Sequence, residues 1–440
     1  MSKDRFINTR LSRRGLVRTS AAGLAMAGLA GLPKGTFAQA SPEASAAVTP
    51  YNGEKVTISY GYWDSAQQKG VQQLLAAFKE KFPDITVEEQ LVPWDDYWTK
   101  LQTSVAGGEA FDLFWINAAS LPVYASSDSL LPIDSLVNDG SIDTSLIAKP
   151  LVEMYNYNGT QYGVPYQYDT IALFYNKDLF DAAGMDYPDD TWDWDTFRDA
   201  AEKLTDSGKG QWGAGIQTSF QEGFSNFVFQ NEGHLMNDDA TKCIIDEPAS
   251  CEALEYLIGF FTDELTPGIS IQQANPVADT LFPAGTVAML PGGSFRASTY
   301  AQADANIDVA PLPKGKTRAT VIHGVAHVGW SRTKAPGAVL ELINFLASED
   351  AERIVGESGM GLPAREGLEQ TWLDALPDMN AKVFSEAASY GVEVPSPKTG
   401  PEWLTAMSTV VTNGFAGEIP ADQVCVQAAE AANTALSGEG

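Results

Sequence analysis

Between Lys55 and Asn117 the apolar residues change spacing four times, and that alternation leaves few folds open. "KVTISYGYW" (Lys55–Trp63) alternates with β-branched residues and reads as a strand. "KGVQQLLAAFKEKFP" carries Val71, Leu74, Leu75 and Phe78 on one helical stripe, which Pro83 terminates. "ITVEEQLVP" reads as a strand, "WDDYWTKLQTSVAGG" as a helix ending in glycines, and "FDLFWIN" as a buried strand. A βαβαβ opening predicts an α/β class with a mostly parallel sheet and right-handed crossovers. Ligands of such sheets bind beyond the carboxyl ends of the strands. Trp63, Asp64, Trp94 and Asn117 all stand just past predicted strand ends.

A second alternating region follows Gly163. "TIALFYN", "WGAGIQT", "TVAMLPGG" and "HGVAHVGWS" are predicted strands, separated by helical patterns such as "PASCEALEYLIGFFTDE". In "TWDWDTF", Thr191 or Asp193 is expected to cap a helix whose first turn packs Trp192 and Trp194, so this is read as structure. From about Asp374 the tail is mainly helical. Segments with hinge character occur near Pro165–Tyr168, Pro311–Pro313 and Gly359–Pro363. A chain of 440 residues exceeds one ordinary domain, and periodicity supports two α/β regions.

The first forty residues differ in kind. Arg13 and Arg14 precede the apolar "AAGLAMAGLAGL", and Ala38 and Ala40 offer a small-x-small cleavage site. The pattern is expected to be a signal peptide over 1–40 of the twin-arginine type. Residues 41–53 are expected to form a disordered leader. No cysteine follows the apolar stretch, so neither a lipid anchor nor membrane insertion is expected after cleavage.

Those forty residues hold seven basic residues and one acidic one. The remainder therefore has 21 basic against 56 acidic residues, a net charge of −35. Such a surface repels phosphate backbones and anionic lipid, which argues against nucleic-acid binding. Of three cysteines, Cys243 and Cys251 flank a turn-like loop and are a candidate disulfide in an exported protein. Cys425 lies in an alanine-rich helical pattern and reads as a buried apolar residue. No phosphate loop, GxSxG or HExxH occurs, so no P-loop, zinc-protease or acyl-hydrolase signature is present and no cofactor or metal is expected.

Seven segments stand in a telling order: "ISYGYWD", "FDLFWIN", "YNGTQYGVPYQYDTIALFYNKDLFDAAG", "TWDWDTF", "VAMLPGGSF", "VAPLPKG", and "INFLASEDAE" before "GLPAR". The arrangement resembles the extracellular substrate-binding proteins of carbohydrate-uptake ABC transporters, the maltose-binding-like class of solute-binding family 1. The resemblance covers about residues 54–435. It implies a non-catalytic, two-lobed periplasmic-binding-protein fold that closes on a sugar, an oligosaccharide by expectation, and docks on a membrane permease. It implies lobe one at 54–167 plus 310–360 and lobe two at 168–309 plus 361–440, with a monomer expected in the periplasm or outside the cell.

A sugar presents hydroxyls that donate and accept, and flat C–H faces. Carboxylates and amides serve the former and aromatic rings the latter. Asp169, an acid set among Tyr166, Tyr168 and Ile171 in an extended run, is the leading candidate; the resemblance matches it to a ligand-binding carboxylate. Tyr166 is expected to line the cleft. Trp63, Asp64 and Asn117 are candidates at strand ends. In "SFQEGFSNFVFQNEG", Gln221, Glu222, Phe224 and Asn231 match a polar-plus-aromatic site segment, with plain helix surface as the alternative for some. In "PGGSFRAS", Gly293 permits close approach, and Phe295 stands where many relatives carry tryptophan. Arg296 either grips a hydroxyl or an acidic sugar, or faces solvent. His323, beside Gly324, either reaches the cleft or is a buried, bonded histidine. Trp403 is a candidate stacking residue or a core one. Two other functions stay open: the same fold holding a polyamine or metal chelate, and a glycoside hydrolase using Asp64 and Asp169 as its carboxylate pair.

Overall fold

The computed structural model describes residues 49–438. The twin-arginine signal and residues 41–48 of the expected leader lie outside the described residues. β1 (Val56–Tyr62), α1 (Gln68–Lys81), β2 (Ile85–Leu91), α2 (Trp94–Gly107) and β3 (Leu113–Asn117) follow the predicted order. α1 buries Val71, Leu74 and Phe78 of the predicted stripe, with Leu75 half-buried beside them, and carries Lys79 and Lys81 in its last turn, where they complement the helix dipole. α2 ends on Gly108 in the left-handed conformation that glycine adopts freely. β1 pairs in parallel with both β2 and β3.

Two long strands then join this sheet to a second one. Pro165–Asn176 runs antiparallel to Thr320–Trp330 through its first half and antiparallel to Val287–Gly293 through its second. Thr320–Trp330 in turn pairs antiparallel with β3. Parallel pairing returns on the far side, between Val287–Gly293 and Trp212–Ala214. A third link, Leu362–Pro363, pairs with Tyr168 and Gln167. Parallel strands thus lie toward the outside of each lobe, and antiparallel crossing strands lie between them. The result is a mixed α/β protein of two lobes.

Each lobe buries both faces of its part of the sheet. In the first, Tyr60 and Tyr62 of β1 pack with Leu342 and Ile343, while Phe114 and Ile116 of β3 pack with Leu121 and Tyr124 on the other face. In the second, Ile171, Leu173 and Met289 share a core with the helices Pro248–Thr262, Glu402–Phe415 and Ala421–Ser437. Phe174 and Leu290 face Trp372 and Phe384 on the reverse side. Ala310, Leu312, Ala319 and Val321 lie in the core of Leu173 and Met289, and only from Ile322 does the chain join the core of Tyr60. No helix among the described residues is long and apolar enough to cross a membrane.

The expected Cys243–Cys251 pair does not form. Cys251 is bonded to Cys425, and Cys243 is free and buried. Cys425 lies with Val424, Ala428 and Ala432 on the buried stripe of its helix, which packs against the helix bearing Cys251. Cys243 is held elsewhere: its backbone N–H donates to the Asn433 side chain at 2.8 Å, and its carbonyl accepts from Asn433 at 2.9 Å. Asp193 caps its helix as expected, accepting from the Thr196 N–H at 2.9 Å. Trp194 stacks on Tyr256.

Candidate functional site

The crossing strands bring a polar cluster together between the lobes. His323 and Asp169 are register partners on the two strands. The Asp169 carboxylate, buried, accepts from the Ser294 hydroxyl at 2.7 Å and faces the His323 ring at 3.8 Å. Burial raises the Asp169 pKa; His323 and Ser294 oppose that rise, while Asp64 and Glu222 add to it. Burial lowers the His323 pKa against the pull of Asp169 and Glu222. Gln221 meets the other nitrogen of His323.

Glu222 organises the neighbouring turn. Its carboxylate accepts from Arg296 in two-pronged fashion at 2.6 and 2.8 Å, and from the Gly293 N–H at 3.0 Å. Arg296 also donates to Asp279 at 2.8 Å and lies over the Phe295 ring at 5.3 Å. Burial disfavours its charge, but Glu222 and Asp279 outweigh that and raise its pKa. Two glycines make the packing feasible. A Cβ on Gly223 would meet the Gln217 carbonyl at 2.3 Å, and one on Gly293 would meet the Phe295 ring at 2.1 Å. On the other lobe, Asp64 accepts from the Ala66 N–H at 2.8 Å and from Gln67 at 3.2 Å; Gln67 in turn accepts from the Tyr166 hydroxyl at 3.3 Å. Burial raises the Asp64 pKa, and Arg296 is among the groups that oppose it.

Beside this cluster two cavities open between the lobes. The larger, about 640 Å³, has Trp94, Trp98 and Asn117 on one side and Thr218, Phe220 and the Glu402–Phe415 helix on the other. That helix lines the space with Thr405, Ser408, Thr409 and Thr412 at i, i+3, i+4, i+7 spacing; the Thr409 and Thr412 hydroxyls donate to the Thr405 and Ser408 carbonyls at 2.8 Å each, and the Ser408 hydroxyl is buried. Leu404, Met407 and Val411 anchor it in the core. The second cavity, about 400 Å³, shares Asn117, Ala119 and Phe220 with the first and adds Gln221 and His323. Trp63 stands edge-on to Trp94 (5.4 Å) and Tyr97 (5.1 Å) and 5.6 Å from Trp98. The space thus combines flat rings with hydroxyl, amide and carboxylate groups.

Residues 62–353 match the sequence pattern of the bacterial extracellular solute-binding proteins, about two thirds of the chain. The chain belongs to that family. This solute-binding protein is 24% identical over 409 residues to the galactooligosaccharide-binding protein of Bacillus subtilis (strain 168), covering 89% of this chain and 91% of that one. Its fold superposes on the ABC substrate-binding protein from Listeria monocytogenes in complex with cycloalternan with a TM-score of 0.83 and 28% identity, over 87% of this chain and all of that one. The GacH receptor of Streptomyces glaucescens shares the fold at a TM-score of 0.78 and 21% identity, over 87% and 98% of the two chains.

Within the solute-binding protein the candidate residues divide. Asp64, Tyr166, Asp169, Gln221, Gly293, Phe295, Arg296 and His323 gather around the crossing strands, and Asn117 lines both cavities while its side chain accepts from the Ser120 N–H at 2.9 Å. Tyr166 is buried against His327, ring centroids 4.3 Å apart, so it supports the floor from beneath. Trp63 braces Trp94 and Trp98. Phe224, Asn231 and Trp403 are not brought to the cleft. Phe224 and Trp403 are core residues, and Asn231 donates to the Ala249 carbonyl and to Glu252. Ser294, Trp98, Phe220 and the hydroxyl stripe were not anticipated. The stripe was readable, since its four residues keep helical spacing in "TAMSTVVT".

Proposed function

We propose that this solute-binding protein captures a sugar, an oligosaccharide by size of the cleft, between its two lobes and delivers it to the permease of an ABC importer. The observation that carries the reading is the cleft itself: Trp94, Trp98 and Phe220 line the larger cavity with Asn117, Thr405, Thr409 and Thr412, and Gln221 lines the adjoining one. Rings of that kind stack on sugar C–H faces, and the polar groups bond ring hydroxyls in both directions. The galactooligosaccharide-binding and cycloalternan-bound relatives support the same ligand class, and both are binding proteins. Export by the twin-arginine segment, action as a monomer outside the cytoplasm, and the lobe limits belong to this proposal. The core packing favours 54–167 with 322–360 as lobe one and 168–321 with 361–438 as lobe two.

The test is a thermal-shift screen of galacto-, malto- and manno-oligosaccharides, followed by calorimetry on the responders. A ligand bound only by the folded form raises the melting temperature. At least one neutral oligosaccharide is expected to do so, with no release of reducing ends. A panel that leaves the melting temperature unmoved would reject the sugar reading.

A further inference from the structure

The charge in the cleft is one-sided, and its strongest cation is already spoken for. Arg296 directs two donor groups at Glu222 and a third at Asp279. Its ion-pair partner Glu222 is almost fully buried, so this guanidinium is fastened into the wall that supports Phe295. Asp64 and Asp169 stand in the same neighbourhood and, among the described residues, neither forms an ion pair with an arginine or lysine, although the charge of Arg296 is felt at Asp64; Asp169 has Ser294 and the ring of His323. Among the described residues lining the two cavities there is one lysine, Lys398, against three glutamates, Glu153 and Glu393 in the smaller cavity and Glu402 in the larger. Lys398 itself is directed at the Asn158 side chain and the Tyr157 ring.

We infer that the cleft excludes acidic saccharides: Arg296 is a positioning residue held by Glu222, and the surplus of carboxylates repels a uronate while leaving a neutral sugar unaffected. The inference rests on the sugar reading and narrows it to a ligand class. Discrimination of this kind works through repulsion of the wrong ligand rather than attraction of the right one.

Matched pairs decide it: galactotriose, maltotriose and mannotriose, each against the same trisaccharide oxidised to the carboxylate at C6, titrated calorimetrically into the mature protein. The oxidised member is expected to bind on the order of 100-fold more weakly, as for a like charge about 6 Å away at the effective dielectric near a protein surface. The gap should narrow between about 0.01 M and about 1 M salt, where the screening length falls from about 30 to about 3 Å. Glu222→Gln, which releases Arg296, should also narrow it. The wild-type pairs carry the test if that variant does not fold. Comparable binding of both members, or a gap indifferent to salt, overturns the inference and leaves the sugar reading standing. If no neutral trisaccharide or longer neutral oligomer binds, both fall.

Discussion

Asp169 lies where one carboxylate oxygen has a hydroxyl donor and the other faces an imidazole, yet burial still raises its affinity for a proton. A ligand hydroxyl donating to it would relieve that penalty, so Asp169→Ala is expected to weaken sugar binding more than ten-fold, about 1.4 kcal/mol or more, with the fold kept. Calorimetry checks this, and unchanged affinity would remove Asp169 from the site. His327 gives a pH prediction. It is buried, its Nε2 lies 2.9 Å from the Tyr60 hydroxyl, and burial lowers its pKa to about 3. The unfolded chain takes up this proton near pH 6.5 and the folded chain does not. Its contribution to stability is therefore complete above about pH 6.5 and is lost as pH falls toward 3. Denaturation curves of wild type and His327→Gln between those limits should show a shallower pH slope in the variant. Asp169 stood out in sequence as an acid in an apolar extended run, and it lies buried beside Ser294 and His323 rather than solvated at a strand start. Phe224 and Trp403 were misleading because an aromatic on a helix serves a core as readily as a cleft. The Arg296–Glu222 pair, 74 residues apart, has no local signal at all.

At the scale of elements, the alternation of strand and helix periods was readable because it is local. Strand length was not. "TIALFYN" proved to be the second half of Pro165–Asn176, whose first half, with Pro165, two tyrosines, Gln167 and Asp169, is held by pairing across the sheet. The disulfide was misread for the same reason, since pairing follows which helix faces meet. The Cys251–Cys425 bond closes a span of 174 residues and fastens the Ala421–Ser437 helix, which packs on the hydroxyl-bearing Glu402–Phe415 helix, to lobe two. Cys425→Ser is expected to cost about 2–5 kcal/mol of unfolding free energy. Denaturant melts under oxidising conditions measure it, and a variant as stable as wild type would show the bond to be dispensable.

Across the whole molecule, ligand contacts on both lobes can favour a closed arrangement only if they are better satisfied there than in an open one. Small-angle scattering is expected to show a smaller radius of gyration when a binding sugar is added, and an unchanged radius would mean capture without closure. Two α/β regions could be read from periodicity, but where the chain passes between them could not: residues 310–321, expected in lobe one, pack with the core of lobe two. The crossing strands have one more implication, for anyone dividing the gene. Because Pro165–Asn176 and Thr320–Trp330 each hydrogen-bond to strands of both lobes, a cut at either leaves two fragments with torn sheets. Such halves should be insoluble apart and regain binding only when co-expressed, which makes this scaffold a natural candidate for a split reporter of its own ligand.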